Sequence, residues 1–324
     1  MCGRFACAVD PEVVCRACRY RGHDGAVQQP KWRDNPRVPH YNPSANVAPT
    51  NYSPVLVSRK NLKLAADDEG EPETSGNERV VIPMRFGLIP SWHRGEESGM
   101  HLSTTNCRWE GILEKKTFAK PLKKGRRCVV LCEGYYDWKK LEKSKTKQPY
   151  IIYTAEEKPF LQSENKDELL TKSAGKVPLL KLAAIFDVWR PSEGEPDVYG
   201  FSIITVAAAK SLIWIHDRMP AILLSEEEVS QWLDFEKVPA EDALNVIHPV
   251  EDLKWHPVTR AMGNAGYKNP DASKPIPLEE AEDKVKPLPK GQMTMASFLR
   301  APGTKRSSTG ADGQSSPLKL AKRE

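Results

Sequence analysis

The 324-residue sequence has no apolar run approaching the roughly 20 residues that a membrane-spanning helix requires. Its N-terminus has no apolar segment behind a basic stretch, so we expect no secretory signal. The seven cysteines are an odd number, which without a secretory signal predicts free thiols in a reducing compartment. A second Cys-x-x-Cys pair to complement Cys15 and Cys18 is also missing, so core thiols are a stronger interpretation than a zinc site.

What the sequence contains is typical of a soluble globular protein with some polar, irregular segments, since 39% of residues are hydrophobic and 28% are charged. The formal net charge is +5, which permits a nucleic-acid partner without requiring one. No internal repeat of fixed period is present. A length of 324 residues suits one large domain or two small ones.

Segments rich in Val, Ile, Tyr and Phe predict strands that outnumber the helices. The predicted strands are 53–59, 78–88, 126–138, 148–155, 178–189 and 200–208. The predicted helices are Asp10 to about Arg19, about 226 to 234 behind a Ser225–Glu228 capping box, and Pro239 to about His248. We therefore predict an α+β fold with a curved, largely antiparallel, barrel-like sheet and peripheral helices.

Composition divides the chain into a domain at 1–268 and a basic tail at 269–324. The tail is rich in Pro, Lys, Ser and Gly and loses apolar periodicity, so we expect it to be disordered. Two polar, acid-rich segments within the domain, 65–78 and 156–176, are predicted to be exposed loops between strands.

One stretch of the tail, 292–299, differs from its surroundings. It resembles a sliding-clamp-binding box in which the last aromatic is replaced by leucine, with the residues Gln292, Met295, Phe298 and Leu299. The alternative is a chance amphipathic turn. The C-terminal residues SSPLKLAKRE are a weak signal for nuclear import, and we expect the protein in the nucleus.

The chain begins MCGRFACAV, so removal of Met1 would leave Cys2 with a free α-amine. Methionine aminopeptidases remove Met1 when the next side chain is as small as that of cysteine. The reference pKa of such an amine is about 7.7–8.0 and that of the thiol about 8.5, so both are partly deprotonated near neutrality. With an aldehyde, the amine forms a Schiff base and the thiolate closes a thiazolidine ring. The alternative is an ordinary small residue at a frayed end.

A resemblance to the SRAP family of abasic-site processing proteins runs from Cys2 to about Gly266. It is carried, in family order, by MCGRF, YNPSANVAPT, PMRFGLIPSW, STTNCRWE, EGYYDW, IHDRMPAIL and WHPVTRAMGN. The resemblance implies a monomer that senses abasic sites in single-stranded DNA during replication. It further implies a covalent thiazolidine between Cys2 and the ring-opened sugar, with no metal or organic cofactor, and hydrolysis or lyase-like reversal through His216 and the carboxylate as a secondary activity.

The resemblance also implies four catalytic residues, of which Cys2 is the nucleophile. Asn106 would position the amine and the adduct, and His216 would donate to the sugar hydroxyl or assist ring opening. Asp137 stands where the family typically carries Glu, so its carboxyl group is withdrawn by about 1 Å, a distance that matters in catalysis. Glu133, on the same face of the predicted strand, is a less favoured substitute.

DNA contacts are predicted at Arg4, Asn46, Trp92, Arg108, Lys116, Thr205 and Arg218. The cationic side chains are candidate phosphate ligands, and Trp92 is a candidate for stacking on bases that flank the lesion. The two remaining side chains would form hydrogen bonds near the terminal amine. The alternatives are surface salt bridges for the arginines, local packing for Trp92 and a solvated helix face for Lys116. Phe86 replaces the usual Trp of the family, which we expect to weaken packing slightly.

Two other functions are compatible with these residues. A cysteine-dependent peptidase would use the same side chains, first of all to remove Met1 from the chain itself. A non-covalent reader of modified bases would bind DNA without needing the Cys2 thiol. Substitution of Cys2 separates both from covalent capture.

Overall fold

A computed structural model describes residues 2–22, 25–62, 78–97, 104–141, 146–157, 178–191, 194–278 and 281. Met1–Asp283 form one compact unit. The second unit, Lys284–Glu324, lies outside the described residues, and so does the predicted clamp-binding box at 292–299. Most of the two predicted loops, 65–78 and 156–176, also lies outside them.

The described residues form fifteen strands, β1–β15, which far outweigh the helices. In chain order they are Arg4–Cys7, Tyr20–Arg21, Val27–Gln28, Lys31–Trp32, Ser44–Val47, Tyr52–Ser58, Arg79–Phe86, Asn106–Arg108, Arg127–Cys132, Gly134–Lys140, Lys147–Tyr153, Leu180–Trp189, Val198–Ala207, Arg218–Pro220 and Lys254–Pro257. The predicted strand-dominated α+β fold is confirmed.

The largest sheet runs β14-β13-β12-β9-β6-β7-β4 and closes on itself. Closure is made by the parallel pairing of β13 with β7, in which Gly200 lies opposite Arg85 and Phe201 opposite Phe86. A Cβ atom at Gly200 would lie 2.8 Å from the carbonyl oxygen of Gly87. Glycine is therefore required at this seam, where five strands form a barrel-like ring.

A second sheet, in the order β15-β11-β10-β1-β5, packs against the barrel. The contact is aromatic: the Phe5 ring lies 5.3 Å from Phe86 and 6.5 Å from Phe201. Phe86 in turn stacks on Phe201 at 5.2 Å. These three buried rings hold the N-terminal strand β1 beside the barrel strands that carry the candidate site.

Within the described residues, four short α-helices, α1–α4, lie around the sheets: Pro11–Ala17, Lys116–Lys123, Glu226–Leu233 and Ala240–Ala243. The predicted capping box is present, because Ser225 accepts from the Glu228 N–H and Glu228 from the Ser225 N–H. The predicted helix after Pro239 is shorter than expected, since α4 changes into a 3-10 turn at Leu244–Val246. No helix in the described ranges is long and apolar enough to cross a membrane.

The prediction of one strand over 126–138 is wrong, because the chain changes sheets at Glu133. β9 belongs to the barrel and β10 to the second sheet. The Glu133 N–H donates to the Ala6 carbonyl at 2.7 Å, and its carboxylate accepts from the Ala8 N–H. Glu133 thus anchors the crossing to β1, and a period-two pattern carries no information on such a crossing.

The chain continues to pack on the domain beyond residue 268. Ala272 and Ala281 are fully buried. The carbonyl of Ser273 contacts His256 Nε2 at 2.8 Å, and that of Ala281 accepts from Arg260. The packed part of the chain therefore reaches at least residue 281.

Candidate active site and nucleic-acid interface

Cys2 lies two residues before the first residue of β1 and is fully buried. Its thiol contacts the Arg4 carbonyl oxygen at 3.9 Å. Burial and the nearby negative charge of Asp137 raise the pKa of the Cys2 thiol well above its usual range. The thiol is therefore protonated at neutral pH and needs a base when it reacts.

Asp137 lies in the middle of β10 and is buried, with 3% of its surface exposed. The antiparallel register pairs Arg4 with Tyr136, which brings the residues before Arg4 alongside Asp137. One carboxylate oxygen accepts from the Trp138 N–H at 2.9 Å. Asp137, not Glu133, is thus the carboxylate whose charge acts on the Cys2 thiol.

Asn106 begins β8, which pairs in parallel with β13 and places Asn106 opposite Ile203. Its side-chain N–H donates to the Thr105 hydroxyl at 3.2 Å. Its carboxamide oxygen is buried and accepts no hydrogen bond from any residue in the described ranges. A buried acceptor costs about 1–3 kcal/mol unless a ligand or water donates to it.

His216 lies in the loop that connects β13 to β14, and its side chain is one-third exposed. Its Nδ1 atom lies 2.7 Å from the Asp217 carboxylate and 3.0 Å from the Arg218 backbone nitrogen. These two contacts hold the ring in place beside the strands that carry Arg218 and Asn106.

Arg4 and Asn46, both predicted to face DNA or the terminal amine, hold a neighbouring loop in this structure. The Arg4 guanidinium donates to the Asn46 side chain at 3.1 Å and to the carbonyls of Met262 and Gly263. The Asn46 amide donates to three carbonyls, those of Met262, Asn264 and Tyr267. Burial lowers the pKa of Arg4. Both side chains thus tie the loop after β15 to β1 and β5.

Arg218 is bound by a carboxylate that the sequence analysis did not single out. Its guanidinium makes a bidentate contact with Glu110 at 2.5 and 2.9 Å and also donates to the Thr205 carbonyl. The hydrogen bonds from Arg218 lower the pKa of Glu110. The signal that would have found Glu110 is its position in STTNCRWE, as the acidic residue two positions after the candidate phosphate ligand Arg108.

Arg108 and Thr205 occupy paired positions on β8 and β13. The Arg108 side chain is exposed, as a phosphate ligand must be. Thr205 is buried, and its hydroxyl donates to the Cys107 carbonyl at 3.3 Å. Thr205 therefore ties the two strands together within the site.

Trp92 and Lys116 line one groove of about 780 Å³. The Trp92 side chain is 49% exposed, and Lys116 is the first residue of α2. Besides Trp92, the groove is lined by four lysines and three other residues, namely Leu113, Glu114, Lys116, Ala119, Lys120, Lys123 and Lys124. An exposed indole among lysines is the arrangement that binds single-stranded nucleic acid.

Tyr135 is a residue of the site that sequence reasoning missed. It is buried on β10, and strand alternation places it on the same face as Asp137. Burial, together with Asp137 and Cys2, raises its pKa well above the usual range. The period-two spacing in EGYYDW is the signal that would have found it.

The cysteines that suggested zinc are buried free thiols. Cys15 is in α1 and Cys18 follows it. Across the described ranges, no group of three or more His, Cys, Asp or Glu side chains is arranged to hold a metal ion.

Comparison with known proteins agrees with the residue pattern. The family model described as "SOS response associated peptidase (SRAP)" matches residues 1–265. A Pongo abelii protein named "Abasic site processing protein HMCES" is 41% identical over 287 residues, covering 86% of this chain and 77% of the relative. A Saccharomyces cerevisiae abasic site processing protein is 28% identical over 308 residues, covering 87% of this chain and 70% of its own.

Solved structures share the fold at low sequence identity. A Bacteroides thetaiotaomicron protein superposes with a TM-score of 0.59 at 21% identity, covering 85% of this chain and all of its own. A Bordetella bronchiseptica protein gives a TM-score of 0.53 at 18% identity, with 80% of this chain and all of its own covered. With the family match over residues 1–265, the chain belongs to the SRAP family.

Proposed function

We propose that this protein processes abasic sites in DNA, and that it captures them in single strands as a covalent thiazolidine on Cys2. The names of its relatives support abasic-site processing. The observation that carries the covalent step is the buried Cys2 thiol beside the Asp137 carboxylate at the start of β1. This is the placement that an N-terminal aminothiol with a proton acceptor requires.

The bonds in the proposed reaction balance without an oxidant. Hydrolysis of the Met1–Cys2 peptide bond frees the α-amine. The amine attacks C1′ of the ring-opened deoxyribose, and loss of one water gives an imine. The Cys2 sulfur then adds to the imine carbon while its proton passes to the nitrogen. Crosslink formation therefore releases one water in total.

Asp137 is the proposed proton acceptor and donor in these steps. Because burial keeps the Cys2 thiol protonated, formation of the sulfur–carbon bond needs a group that takes its proton. The Asp137 carboxylate is near enough to raise the pKa of the thiol by its charge. Asp137 first passes a proton to the hydroxyl that leaves the carbinolamine as water, and it afterwards takes the thiol proton and passes it to the imine nitrogen.

Asn106 and His216 are proposed to act on the amine and on the sugar. The orphaned carboxamide oxygen of Asn106 suits an N–H of the Cys2 amine, because it accepts a hydrogen bond without adding charge. His216 is partly exposed and held through Nδ1, which leaves Nε2 to exchange a proton with the sugar as the ring opens.

The groove lined by Trp92 and the α2 lysines is the proposed path of the flanking single strand. Stacking on an exposed indole and contacts between lysines and phosphates bind DNA without reading its sequence. Arg108 extends the cationic surface toward Asn106. Arg218 joins it when phosphate replaces Glu110.

The tail residues Gln292, Met295, Phe298 and Leu299 are proposed to bind the replication sliding clamp. This contact would bring a nuclear, monomeric protein to DNA that is being copied. A Phe298→Ala variant of the full chain should lose clamp binding while its activity on abasic DNA stays unchanged. If Phe298→Ala retains both clamp binding and activity on abasic DNA, the clamp is removed from the proposal.

Substitution of Cys2 tests the proposed function against its alternatives. Wild-type protein mixed with an abasic oligonucleotide should give an adduct that resists heat and SDS, and Cys2→Ala should give none. Cys2→Ser is the matched control, because it keeps the amine and a similar side-chain volume but not the thiolate. A non-covalent reader would show no adduct and unchanged binding. A peptidase acting on other proteins would cleave them in a Cys2-dependent manner.

A further inference from the structure

Three aromatic rings form a cluster on the surface beside the candidate active site. The Tyr150 ring lies 5.1 Å from Trp214 and 5.6 Å from Trp255, and the two indoles lie 4.6 Å apart. The three side chains come from β11, from the loop between β13 and β14, and from β15. We call these residues, Tyr150, Trp214 and Trp255, the aromatic platform.

The platform is continuous with the site through two connections. Tyr150 lies directly opposite Asp137 in the β10–β11 ladder, so the two side chains share one face of the sheet. Trp214 precedes His216 by two residues in the same loop. Bound DNA that reaches both Asp137 and His216 therefore passes close to the platform.

The solvent exposure of the platform increases from Tyr150, which is buried, to Trp255, which is exposed. Tyr150 is 1% exposed, whereas Trp255 is 37% exposed and the adjoining Ile213 is 64% exposed. The Trp214 indole N–H donates to the Ser211 carbonyl at 2.9 Å. The Ser211 hydroxyl in turn donates to the Glu251 carbonyl at 3.0 Å. The exposed indole surface is thus held rigidly, and rigid aromatic surface binds with little loss of side-chain entropy.

A cationic side chain lies against the platform and indicates an anionic, aromatic ligand. The Lys139 ammonium lies 4.8 Å from the centre of the Trp214 ring. Lys139 follows Asp137 by two positions on β10, on the same face. A nucleotide supplies both parts, since its base stacks on indole and its phosphate pairs with lysine.

We infer that the aromatic platform binds a nucleobase of the single-stranded DNA next to the abasic site. This inference rests on the proposed function and adds a second stacking contact, distinct from Trp92. Because the platform adjoins Asp137 and His216, the stacked base would fix the position of the sugar relative to the Cys2 amine. The platform residues are positioning residues, since they touch neither the aldehyde nor the thiol.

The inference is tested with the pair Trp255→Leu and Trp255→Phe. Leucine removes the aromatic face, whereas phenylalanine retains one. In a Cys2→Ala background, Trp255→Leu should weaken binding of a labelled undamaged single strand about tenfold, and Trp255→Phe should restore most of it. Val27→Ala removes exposed apolar surface from the separate β2–β3 hairpin and should have no effect. Melting temperatures verify that each variant is folded.

A fluorescent base analogue in the DNA locates the contact, and this experiment uses protein that retains Cys2. 2-Aminopurine placed at successive positions beside the abasic site should be quenched most at one position. Trp255→Leu should abolish that quenching, whereas Val27→Ala should leave it. If no position responds to Trp255→Leu and strand affinity is unchanged, the platform does not bind a base. Crosslink yield at saturating DNA is a separate readout, because its absence in wild-type protein would contradict the proposed function and not the platform.

Discussion

The Asp137 carboxylate and the Cys2 thiol occupy one buried site, in which the charge of Asp137 raises the pKa of the thiol. The two residues meet because β1 pairs with β10 in antiparallel register. In this arrangement the thiol is unreactive until its proton is removed, and the group that can remove it is adjacent.

Neutralising Asp137 should therefore make the Cys2 thiol more acidic and at the same time slow adduct formation. Asp137→Asn removes a negative charge, so the pKa of Cys2 should fall, while the rate of adduct formation should drop about 100-fold because the base is lost. Asp137→Glu should preserve or improve the rate. Alkylation of Cys2 followed by mass spectrometry at several pH values measures the first effect, and quenched time courses measure the second.

Glu133→Gln is the matched control for Asp137→Asn. It neutralises another buried carboxylate, one that raises the pKa of Tyr136 and Tyr41 instead of that of Cys2. Its adduct rate should stay near that of the wild type once folding is verified. A wild-type rate for Asp137→Asn would mean that the proton-transfer group is elsewhere.

Asn106→Ala should lose activity with little loss of stability. The proposed donor to the Asn106 oxygen is the Cys2 amine, so the melting temperature should fall by no more than the effect of one or two lost hydrogen bonds. Adduct formation should fall about tenfold or more, because the amine loses its positioning contact. Thermal unfolding and single-turnover crosslinking measure the two effects. A lower melting temperature with unchanged crosslinking would make Asn106 a structural residue.

Glu110→Gln should strengthen DNA binding. The substitution releases the Arg218 guanidinium from its bidentate carboxylate partner, so a phosphate no longer competes with Glu110. The slope of log K against log salt should steepen by about 0.7, the value for one added phosphate contact on a single strand. Fluorescence anisotropy at several salt concentrations measures this slope. Weaker binding would show that Glu110 holds Arg218 in its active position.

The stability of the fold should fall as the pH rises above 9. Burial raises the pKa of Cys18 and of Cys107 from 9.0 to about 12. Above pH 9 the unfolded chain releases these protons and the folded chain keeps them, so the free energy of unfolding decreases until about pH 12. Urea unfolding at pH 8 and pH 10 measures the change. Cys18→Ala should reduce this pH dependence, and an unaltered dependence would contradict the assignment.

Local sequence pattern predicted the longer strands and the capped helix, because burial alternation and capping are local properties, but it missed the short strands Arg4–Cys7, Ser44–Val47 and Lys254–Pro257. The Ser225–Glu228 capping box is an example, since both of its hydrogen bonds lie within four residues. The break at Glu133 could not be predicted, because it depends on hydrogen bonds to Ala6 and Ala8 in a distant part of the chain.

The site was predicted from motifs, and its internal contacts were not. That Asp137 faces Cys2 follows from the β1–β10 register, which no single segment specifies. That Arg4 and Asn46 hold the loop at 262–267 depends on carbonyl groups, which carry no side-chain signal. The aromatic platform likewise unites Tyr150, Trp214 and Trp255 from three separate elements.

Intact-mass analysis of the protein after mixing with an oligonucleotide that contains one abasic site tests the central claim most directly. The predicted product has the mass of the chain without Met1 plus the oligonucleotide minus one water. Unreacted protein should show the same loss of Met1. Fully active protein that retains Met1, or lesion DNA held only by contacts that detergent dissolves, would contradict capture by the Cys2 aminothiol.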